Sequence, residues 1–200
     1  MEFLDFVEGV DLSKINHSYV YEQDQLKEVI RIRTIDQFDS FELKSTDQIA
    51  ILGVLEDRGN KENMGAAMSP NVFRSYFYKL YKGIGFDNII DLGNIKPGNS
   101  LSDTYFAVTE TVSQLMKNGV IPIIIGGSKD LAYANFLAYE KLEQTVNHTS
   151  IDSAFNIGDS SQEINSKNFL SKIVLHQPNY LFNFSNIGYQ SYFVSRNEVN

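Results

Sequence analysis

The chain has no cysteine among its 200 residues. This absence excludes disulfide bonds, thiolate metal sites and catalysis by a cysteine nucleophile, and it is more consistent with the cytosol than with secretion. Long hydrophobic runs are also missing. The longest, Val120 to Ile125, contains a proline and is far shorter than the roughly 20 residues needed to span a bilayer.

The N-terminus has neither the positively charged start nor the unbroken apolar segment of a secretory signal peptide. Positive charge is scarce overall, with 17 Lys and Arg against 25 Asp and Glu and a net charge of -8. An acidic chain does not attract the phosphate backbone of nucleic acids and is repelled by anionic membrane surfaces. We therefore expect a cytoplasmic protein without nucleic-acid or membrane partners.

Short apolar segments alternate with helical patterns along most of the chain. Within residues 47–57, the run from Ile49 to Leu55 is almost continuously apolar. Such a run is typical of a strand buried on both faces of a parallel sheet. The predicted strands are 47–57, 86–95, 120–127, 145–155 and 179–194, and the predicted helices are 69–82, 102–118, 131–143 and 168–175. This order predicts a three-layer α/β/α fold with a mostly parallel central sheet. Residues 1–46 are predicted to be an N-terminal extension packed on a domain of residues 47–200.

Two of the predicted helices carry end signals and an apolar stripe. In the first, Ser69 is the expected N-cap, Pro70 occupies the first helical position and Gly83 follows the last turn. Its stripe comprises Val72, Phe73, Phe77 and Leu80. In the second, Gly119 is the expected C-cap, and the stripe comprises Val108, Val112, Leu115 and Met116. Both stripes are expected to face the core.

Ligand sites in parallel sheets lie at the carboxyl ends of the strands, which directs attention to loops 56–69, 126–131 and 152–163. The middle loop reads Gly126-Gly127-Ser128-Lys129-Asp130. Its glycines let the backbone approach a ligand, and the N-terminus of the following helix favours an anion. The spacing fits neither a Walker loop nor a dinucleotide-binding motif. The alternative interpretation is a plain strand-to-helix turn with Ser128 as the N-cap.

The third loop begins at Asp152, where a buried strand is predicted to end. A carboxylate at this place is either a ligand or base, or a cap for the following turn. His148 lies four residues earlier, so both side chains point to the same face of an ideal strand. His148 is itself either a core residue or a ligand.

Five segments, taken in order, resemble the ureohydrolase superfamily, which comprises arginase, agmatinase and formimidoylglutamase. "ILGVLEDRGNKENMGAAMSPNVFR" is similar to the opening strand, loop and "GP…R" helix start, and "DLGNI" to the "DxGD" strand end. "VIPIIIGGSKDLAYAN" resembles the "GGDHS" block and "TSIDSAFNIGD" the "DAHxD" block. "NIGYQSYFV" is similar to the "LGIQ" strand of formimidoylglutamases, which makes that branch the nearest. The resemblance covers roughly residues 47 to 195 and implies the N-terminal portion of an arginase-like fold, truncated before the C-terminal strands.

The resemblance also implies a chemistry. The family uses two manganese ions that share a bridging hydroxide, which attacks the carbon of a linear amidine and breaks a C–N bond. Its metal ligands come from the histidine of GGDHS, from the two aspartates and the histidine of DAHxD, and from a later DxD block. That later block is not in these 200 residues.

Of the four matching ligand positions, Asp152 alone keeps a metal-binding residue of the family. The histidines match Lys129 and Ala154, and the second aspartate of DAHxD matches Asn156, while Ser128 stands at the aspartate of GGDHS. Alanine has no donor atom, and a lysine ammonium has no lone pair. We therefore expect no dimanganese centre and no cofactor, with manganese bound only if the family chemistry survives.

These substitutions lead to a hypothesis for the pocket, whose candidate residues are Gly126, Gly127, Ser128, Lys129, Asp130, Asp152 and Asn156. An ion pair between Lys129 and Asp152 would replace the metal–carboxylate contact and could bind a small polar or anionic ligand. Three functions remain open at this point. The chain is a family member with impaired hydrolysis, or an active amidine hydrolase that recruits ligands such as His148, Asp159, Glu56 or Asp57 together with a C-terminal half that these 200 residues do not contain, or a non-catalytic assembly subunit. A homo-oligomer is expected because many family members are oligomers.

Overall fold

The structure is a computed structural model that describes residues 2–15, 18–37, 41–84 and 88–199. Its strands are β1 Val7–Glu8, β2 Arg31–Ile32, β3 Ile49–Val54, β4 Ile89–Ile95, β5 Ile121–Ile125, β6 Val146–Ile151 and β7 Leu181–Ile187. Its α-helices are α1 Leu26–Val29, α2 Ser69–Phe77, α3 Leu101–Lys117, α4 Leu131–Lys141, α5 Phe169–Val174 and α6 Arg196–Val199. Short 3-10 segments cover Glu2–Phe6, Leu12–Lys14, Ile35–Gln37 and Ala66–Met68.

The main sheet has the order β1-β4-β3-β5, and β2 also pairs with β4. Strand β3 runs parallel to both β4 and β5, whereas β1 is antiparallel to β4. Strands β6 and β7 pair in parallel as a second, two-stranded sheet. Within the described ranges no ladder joins the two sheets. The predicted α/β architecture with a mostly parallel sheet is confirmed.

The sequence pattern of β3 and β4 matches their burial. Every residue of β4 is buried, and in β3 only Ile49 is not fully so. Apolar residues can fill both faces of such strands because helices cover the sheet on each side. Strand β4 is predicted to begin at residue 86 and begins at Ile89; Phe86 and Asp87 lie outside the described residues.

Helix α3 covers one face of the sheet, as its sequence predicts. Its N-cap is Ser100, which forms a reciprocal capping box with Asp103. Val108, Val112 and Leu115 are fully buried against the sheet. The helix ends at Lys117, and Gly119 follows with a φ of +73°, a conformation that glycine adopts without strain.

Helix α2, on the other face, corrects the prediction for residues 69–82. The helix starts at Ser69, with Met68 as the N-cap, and ends at Phe77, well before Gly83. Val72 and Leu80 of the predicted core stripe are 55% and 57% exposed. The buried residues of the helix are instead Pro70 and Arg74.

The sheet explains this orientation, because Asp91 of β4 presents a buried carboxylate to α2. Arg74 donates to both oxygens of Asp91, from Nε at 2.8 Å and Nη2 at 2.7 Å. Tyr78 Oη donates to the same carboxylate at 2.9 Å, and Arg74 Nη1 donates to Asn94 Oδ1 at 2.6 Å. A buried charge must be paired, so the face of α2 that carries Arg74 turns inward.

The two ends of the chain are built differently. Near the N-terminus, β1 and β2 add to the edge of β4, and Phe3, Leu4 and Val7 join the core beneath α3. Near the other end, the predicted strand 179–194 is too long, since β7 stops at Ile187 and turns follow. The inner face of β6–β7 packs on α4 and α5 through Phe136, Leu170 and Ile173. None of the helices in the described ranges is long and apolar enough to cross a membrane.

Candidate functional site

The loops after β5 and β6 bring two predicted residues into contact. Lys129 lies four residues beyond the end of β5, and Asp152 directly follows β6. The Lys129 Nζ lies 2.7 Å from Asp152 Oδ2, which is an ion pair with a hydrogen bond. The ion pair that the sequence predicted is therefore present in the structure.

Asn156 completes a three-residue network. Its Oδ1 accepts from Lys129 Nζ at 3.1 Å, and its Nδ2 donates to Asp152 Oδ2 at 3.0 Å and to Ala154 O at 3.2 Å. The Asn156 backbone has a φ of +59°, which asparagine tolerates better than most residues. This turn folds the loop back so that positions 152 and 156 face the same lysine.

The network keeps Asp152 ionised. Partial burial raises the pKa of Asp152, but hydrogen bonds from Lys129, from Asn156 and from the Ala154 N–H outweigh burial and hold the pKa below its usual value. The Lys129 side chain remains 48% exposed. A lysine ammonium has three donor positions, and the network uses two of them. The third is available to a group in the adjoining space.

That space is a cavity of about 930 Å³. Lys129, Asp152 and Asn156 line it together with residues of the 60–63 and 193–198 segments. Lys167 also lines the cavity and pairs with Glu62 at 2.6 Å. The volume matches the range of about 300–1,000 Å³ that is usual for small-molecule sites.

Gly126 and Gly127 do not line this cavity and serve packing. Their φ angles are +94° and +73°. A Cβ on Gly126 would lie 2.6 Å from the Pro70 ring, and one on Gly127 would lie 2.5 Å from Glu56 O. Glycine is required because the loop crosses the start of α2 and the end of β3 at close distance.

Ser128 and Asp130 also point away from the cavity. The alternative interpretation, with Ser128 as the N-cap, is wrong, because α4 begins at Leu131 with Asp130 in the cap position. Ser128 Oγ is buried and has no hydrogen-bond partner within the described part of the chain. Asp130 is fully buried and accepts from Tyr105 Oη at 2.5 Å and from Ser166 Oγ at 3.1 Å.

Ser166 is a residue that sequence reasoning missed. Its N–H and its hydroxyl both donate to Gly59 O, at 2.9 and 3.1 Å, while the hydroxyl also reaches Asp130. These bonds tie the loops 56–69 and 156–168 to the base of α4, and so they shape one wall of the cavity. One serine in a polar loop gives no sequence signal for this role.

The alternative ligands that the sequence suggested form no metal-binding cluster with Asp152 within the described residues, although Asp159 lines the same cavity, and each of the four contacts another residue. Glu56 is buried and accepts from Arg58 and Thr104. The other three make local contacts: Asp57 accepts from Gly65 N, Asp159 accepts from Ser161, and the His148 ring lies against Phe184. Among the residues that the structure describes, no three His, Asp or Glu side chains come together in an arrangement that could hold a metal ion.

The fold and the site define an α/β domain with a polar cluster at the carboxyl ends of parallel strands. A profile of the Arginase family matches residues 47–194. The chain belongs to the Arginase family.

Known relatives agree with this assignment. A formimidoylglutamase of Staphylococcus epidermidis is 27% identical over 146 residues, which cover 68% of this chain and 47% of the relative. A formimidoylglutamase of Streptococcus gordonii is 28% identical over 116 residues, 54% of this chain and 35% of the relative. The chain thus spans about half the length, or less, of the curated relatives it matches.

Two solved structures share the fold. The formiminoglutamase of Trypanosoma cruzi, crystallised with Mn²⁺, superposes with a TM-score of 0.73 at 18% identity, over 88% of this chain and 60% of that one. The formimidoylglutamase of Bacillus subtilis superposes with a TM-score of 0.73 at 14% identity, over 92% of this chain and 58% of that one.

The residues present here do not fit such a metal. Manganese prefers oxygen and imidazole ligands. In this chain the positions that the motifs assign to ligands hold one carboxylate, one amide, one methyl group and one ammonium. The Lys129 ammonium already contacts the Asp152 carboxylate. The positive charge of the ammonium would repel a metal cation at the same place.

Proposed function

We propose that this arginase-family, formimidoylglutamase-like domain does not carry out dimanganese hydrolysis. The observation that supports the proposal is the contact of Lys129 Nζ with Asp152 Oδ2 at 2.7 Å. Asp152 is the single carboxylate that the motifs retain. Its Oδ2 contacts the ammonium and its Oδ1 accepts from the Ala154 N–H at 3.2 Å, so both oxygens already have partners. Opening this contact would expose a carboxylate whose pKa the lysine and Asn156 now hold low.

In this proposal the Lys129–Asp152–Asn156 network has two roles. It supplies one fixed positive charge that neutralises Asp152, and it joins the loops after β5 and β6. The free donor position of Lys129 makes the cavity suited to a small polar or anionic compound, whose acceptor atom could take the third hydrogen bond. Neither role requires a nucleophilic hydroxide.

Metal content after purification in the presence of manganese tests the proposal. We expect elemental analysis to find no manganese above background in the natural chain. A variant that restores the family residues, Lys129→His with Ala154→His and Asn156→Asp, is expected to bind manganese, because it gathers two imidazoles and two carboxylates at one place. About two manganese ions per natural chain, as in two-metal hydrolases, would overturn the proposal.

Two controls make the result specific. Adding Asp152→Asn to the restored variant should abolish the gained manganese, since the central carboxylate is lost. Lys129→Gln in the natural chain should not bind manganese, because removing the ammonium alone supplies no ligand set. Circular dichroism should show the same secondary structure in all variants. Hydrolysis of formimidoylglutamate or arginine by the natural chain that depends on added manganese would also contradict the proposal.

A further inference from the structure

Two cavities lie side by side at the loops that follow β3 and β6. The larger, of about 930 Å³, is the one that Lys129 lines, and the smaller has a volume of about 730 Å³. Six residues line both cavities and so lie between them: Asn60, Glu62, Gly158, Asp159, Ser166 and Lys167. The contacts within this partition determine whether one compound can extend through both cavities.

The inner part of the partition is a buried contact between the two loops. Ser166 is 3% exposed, and both its N–H and its hydroxyl donate to Gly59 O, at 2.9 and 3.1 Å. Asp130 packs against this contact, since a Cβ on Gly59 would lie 2.2 Å from either oxygen of its carboxylate. Breaking the contact would leave buried polar groups without hydrogen bonds, so the inner part stays closed.

The outer part of the partition is an exposed ion pair between the same two loops. Lys167 directly follows Ser166 in the chain. Its Nζ lies 2.6 Å from Glu62 Oε1, and the Lys167 and Glu62 side chains are 69% and 72% exposed. Water and salt screen charges at such positions, so the pair adds little stability and opens readily.

The two lysines of the larger cavity are held differently. The Lys129 ammonium donates to both Asp152 and Asn156, at 2.7 and 3.1 Å, and the Asp152 side chain is only 16% exposed. Lys167 is paired with a carboxylate that is as exposed as the lysine itself. The Lys167 N–H donates to Asn165 Oδ1 at 2.8 Å, which holds the backbone in place. Opening the outer pair therefore requires only that two exposed side chains rotate.

We propose that the Glu62–Lys167 ion pair is a gate between the two cavities. When the pair is closed, each cavity is a separate space. When the two side chains rotate apart, the cavities join above the Ser166–Gly59 contact into one elongated cleft, and a compound bound at Lys129 can extend into the smaller cavity. The inference goes beyond the proposed loss of metal chemistry and does not depend on it, because neither residue of the pair occupies a position that the motifs assign to a metal ligand.

Paramagnetic relaxation by a small neutral nitroxide in solution, measured by NMR on the amides of the full chain, tests the gate. With the pair closed, the Ser166 amide is shielded from the probe. We expect Lys167→Gln to raise the relaxation of this amide about two- to fivefold, which is the change that loss of an exposed ion pair makes in an opening equilibrium. Sodium chloride at about 1 M should have a similar effect on the natural chain, because the Debye length then falls to about 3 Å.

Charge reversal and a distant ion pair provide the controls. Exchanging the two charges, in Glu62→Lys with Lys167→Glu, should restore the shielding of Ser166. Lys14→Gln removes an exposed lysine that pairs with Asp11 on the N-terminal segment and should leave Ser166 unchanged. Hydrogen exchange of the Ser166 amide should stay as slow in Lys167→Gln as in the natural chain, since the inner contact remains.

Three results would each overturn the proposal. The first is an unchanged relaxation of the Ser166 amide in Lys167→Gln. The second is a charge-exchanged variant in which Ser166 is as accessible as in Lys167→Gln. The third is faster hydrogen exchange at Ser166, or an equal rise in relaxation at a fully buried amide such as that of Ala134. Either form of the third result would mean that the ion pair supports the fold and does not gate a passage.

Discussion

Helices α2 and α3 cover opposite faces of the same sheet and bury opposite kinds of surface. Helix α3 turns Val108, Val112 and Leu115 to the core, whereas α2 turns Arg74 inward and leaves Val72 on the surface. Both sequences contain an apolar stripe. The difference lies in the sheet, because α3 meets Ile90 and Leu92 while α2 meets the carboxylate of Asp91.

The comparison shows that an apolar stripe identifies one face of a helix but does not determine whether that face packs against the sheet. Burying a leucine stabilises a fold by about 1.5–3 kcal/mol. Leaving a buried carboxylate unpaired costs about 3–5 kcal/mol. The Asp91 carboxylate therefore determines the orientation of α2, and Val72 and Leu80 of the apolar stripe remain exposed.

The largest expected effect comes from breaking the ion pair that orients α2. Arg74→Met leaves Asp91 buried without its cation, so the free energy of unfolding should fall by about 4 kcal/mol, as measured by urea denaturation. Adding Asp91→Asn removes the unpaired charge and should recover part of the loss. A loss below about 1 kcal/mol in Arg74→Met would mean that packing, and not the ion pair, sets the orientation.

The same substitution in the two stripes should give different results. Leu115→Ala in α3 opens a cavity in the core, and we expect a loss of about 3 kcal/mol. Leu80→Ala beside α2 removes an exposed side chain, and the change should stay within about 0.5 kcal/mol. Both are read from urea denaturation at low protein concentration, where association does not contribute. Equal losses of unfolding free energy in the two variants would contradict the prediction and would mean that Leu80 is buried.

The N-termini of the two helices allow a smaller comparison. Ser100 accepts from the Asp103 N–H in the capping box of α3, so Ser100→Ala should cost about 1 kcal/mol. Ser69 lies inside α2, and its hydroxyl donates to Ala66 O. We expect Ser69→Ala to change stability by less than about 0.5 kcal/mol. A larger loss of stability in Ser69→Ala than in Ser100→Ala would mean that Ser69 acts as the N-cap of α2.

The smallest effect is expected at the second ion pair, which is partly exposed. Asp152→Asn should cost about 1 kcal/mol or less at pH 7, because solvent screens Lys129. The pKa of Asp152 is lowered by folding, so the pair stabilises the fold above the unfolded pKa of about 3.8 and loses this contribution as pH falls through the folded pKa. The difference between natural chain and variant should therefore shrink as the pH falls below 3.8 and vanish below the folded pKa of Asp152. A difference that does not change with pH would exclude the carboxylate charge as its source.

The part of the candidate site that could be predicted from the sequence consists of residues at or just after the ends of predicted strands. Lys129 follows β5 and Asp152 follows β6, which are successive strands of the arginase-like order but lie in different sheets, and the structure brings the two side chains into contact. Asn156 came from the motif, but its return to Asp152 depends on a φ of +59° that no pattern encodes. Ser166 was missed because its partners, Gly59 and Asp130, are 107 and 36 residues away in the chain.

By itself the sequence determined the alternation of strands and helices, the buried character of β3, and the family. These properties follow from local patterns, because side-chain periodicity and turn residues act over a few positions. The tertiary structure alone decided that α2 faces inward with Arg74, that Asp130 ties distant loops together, and that β6 and β7 form their own sheet. Each of these depends on a partner far along the chain. For α2, the cost of leaving the Asp91 carboxylate unpaired exceeds the gain from burying the apolar stripe.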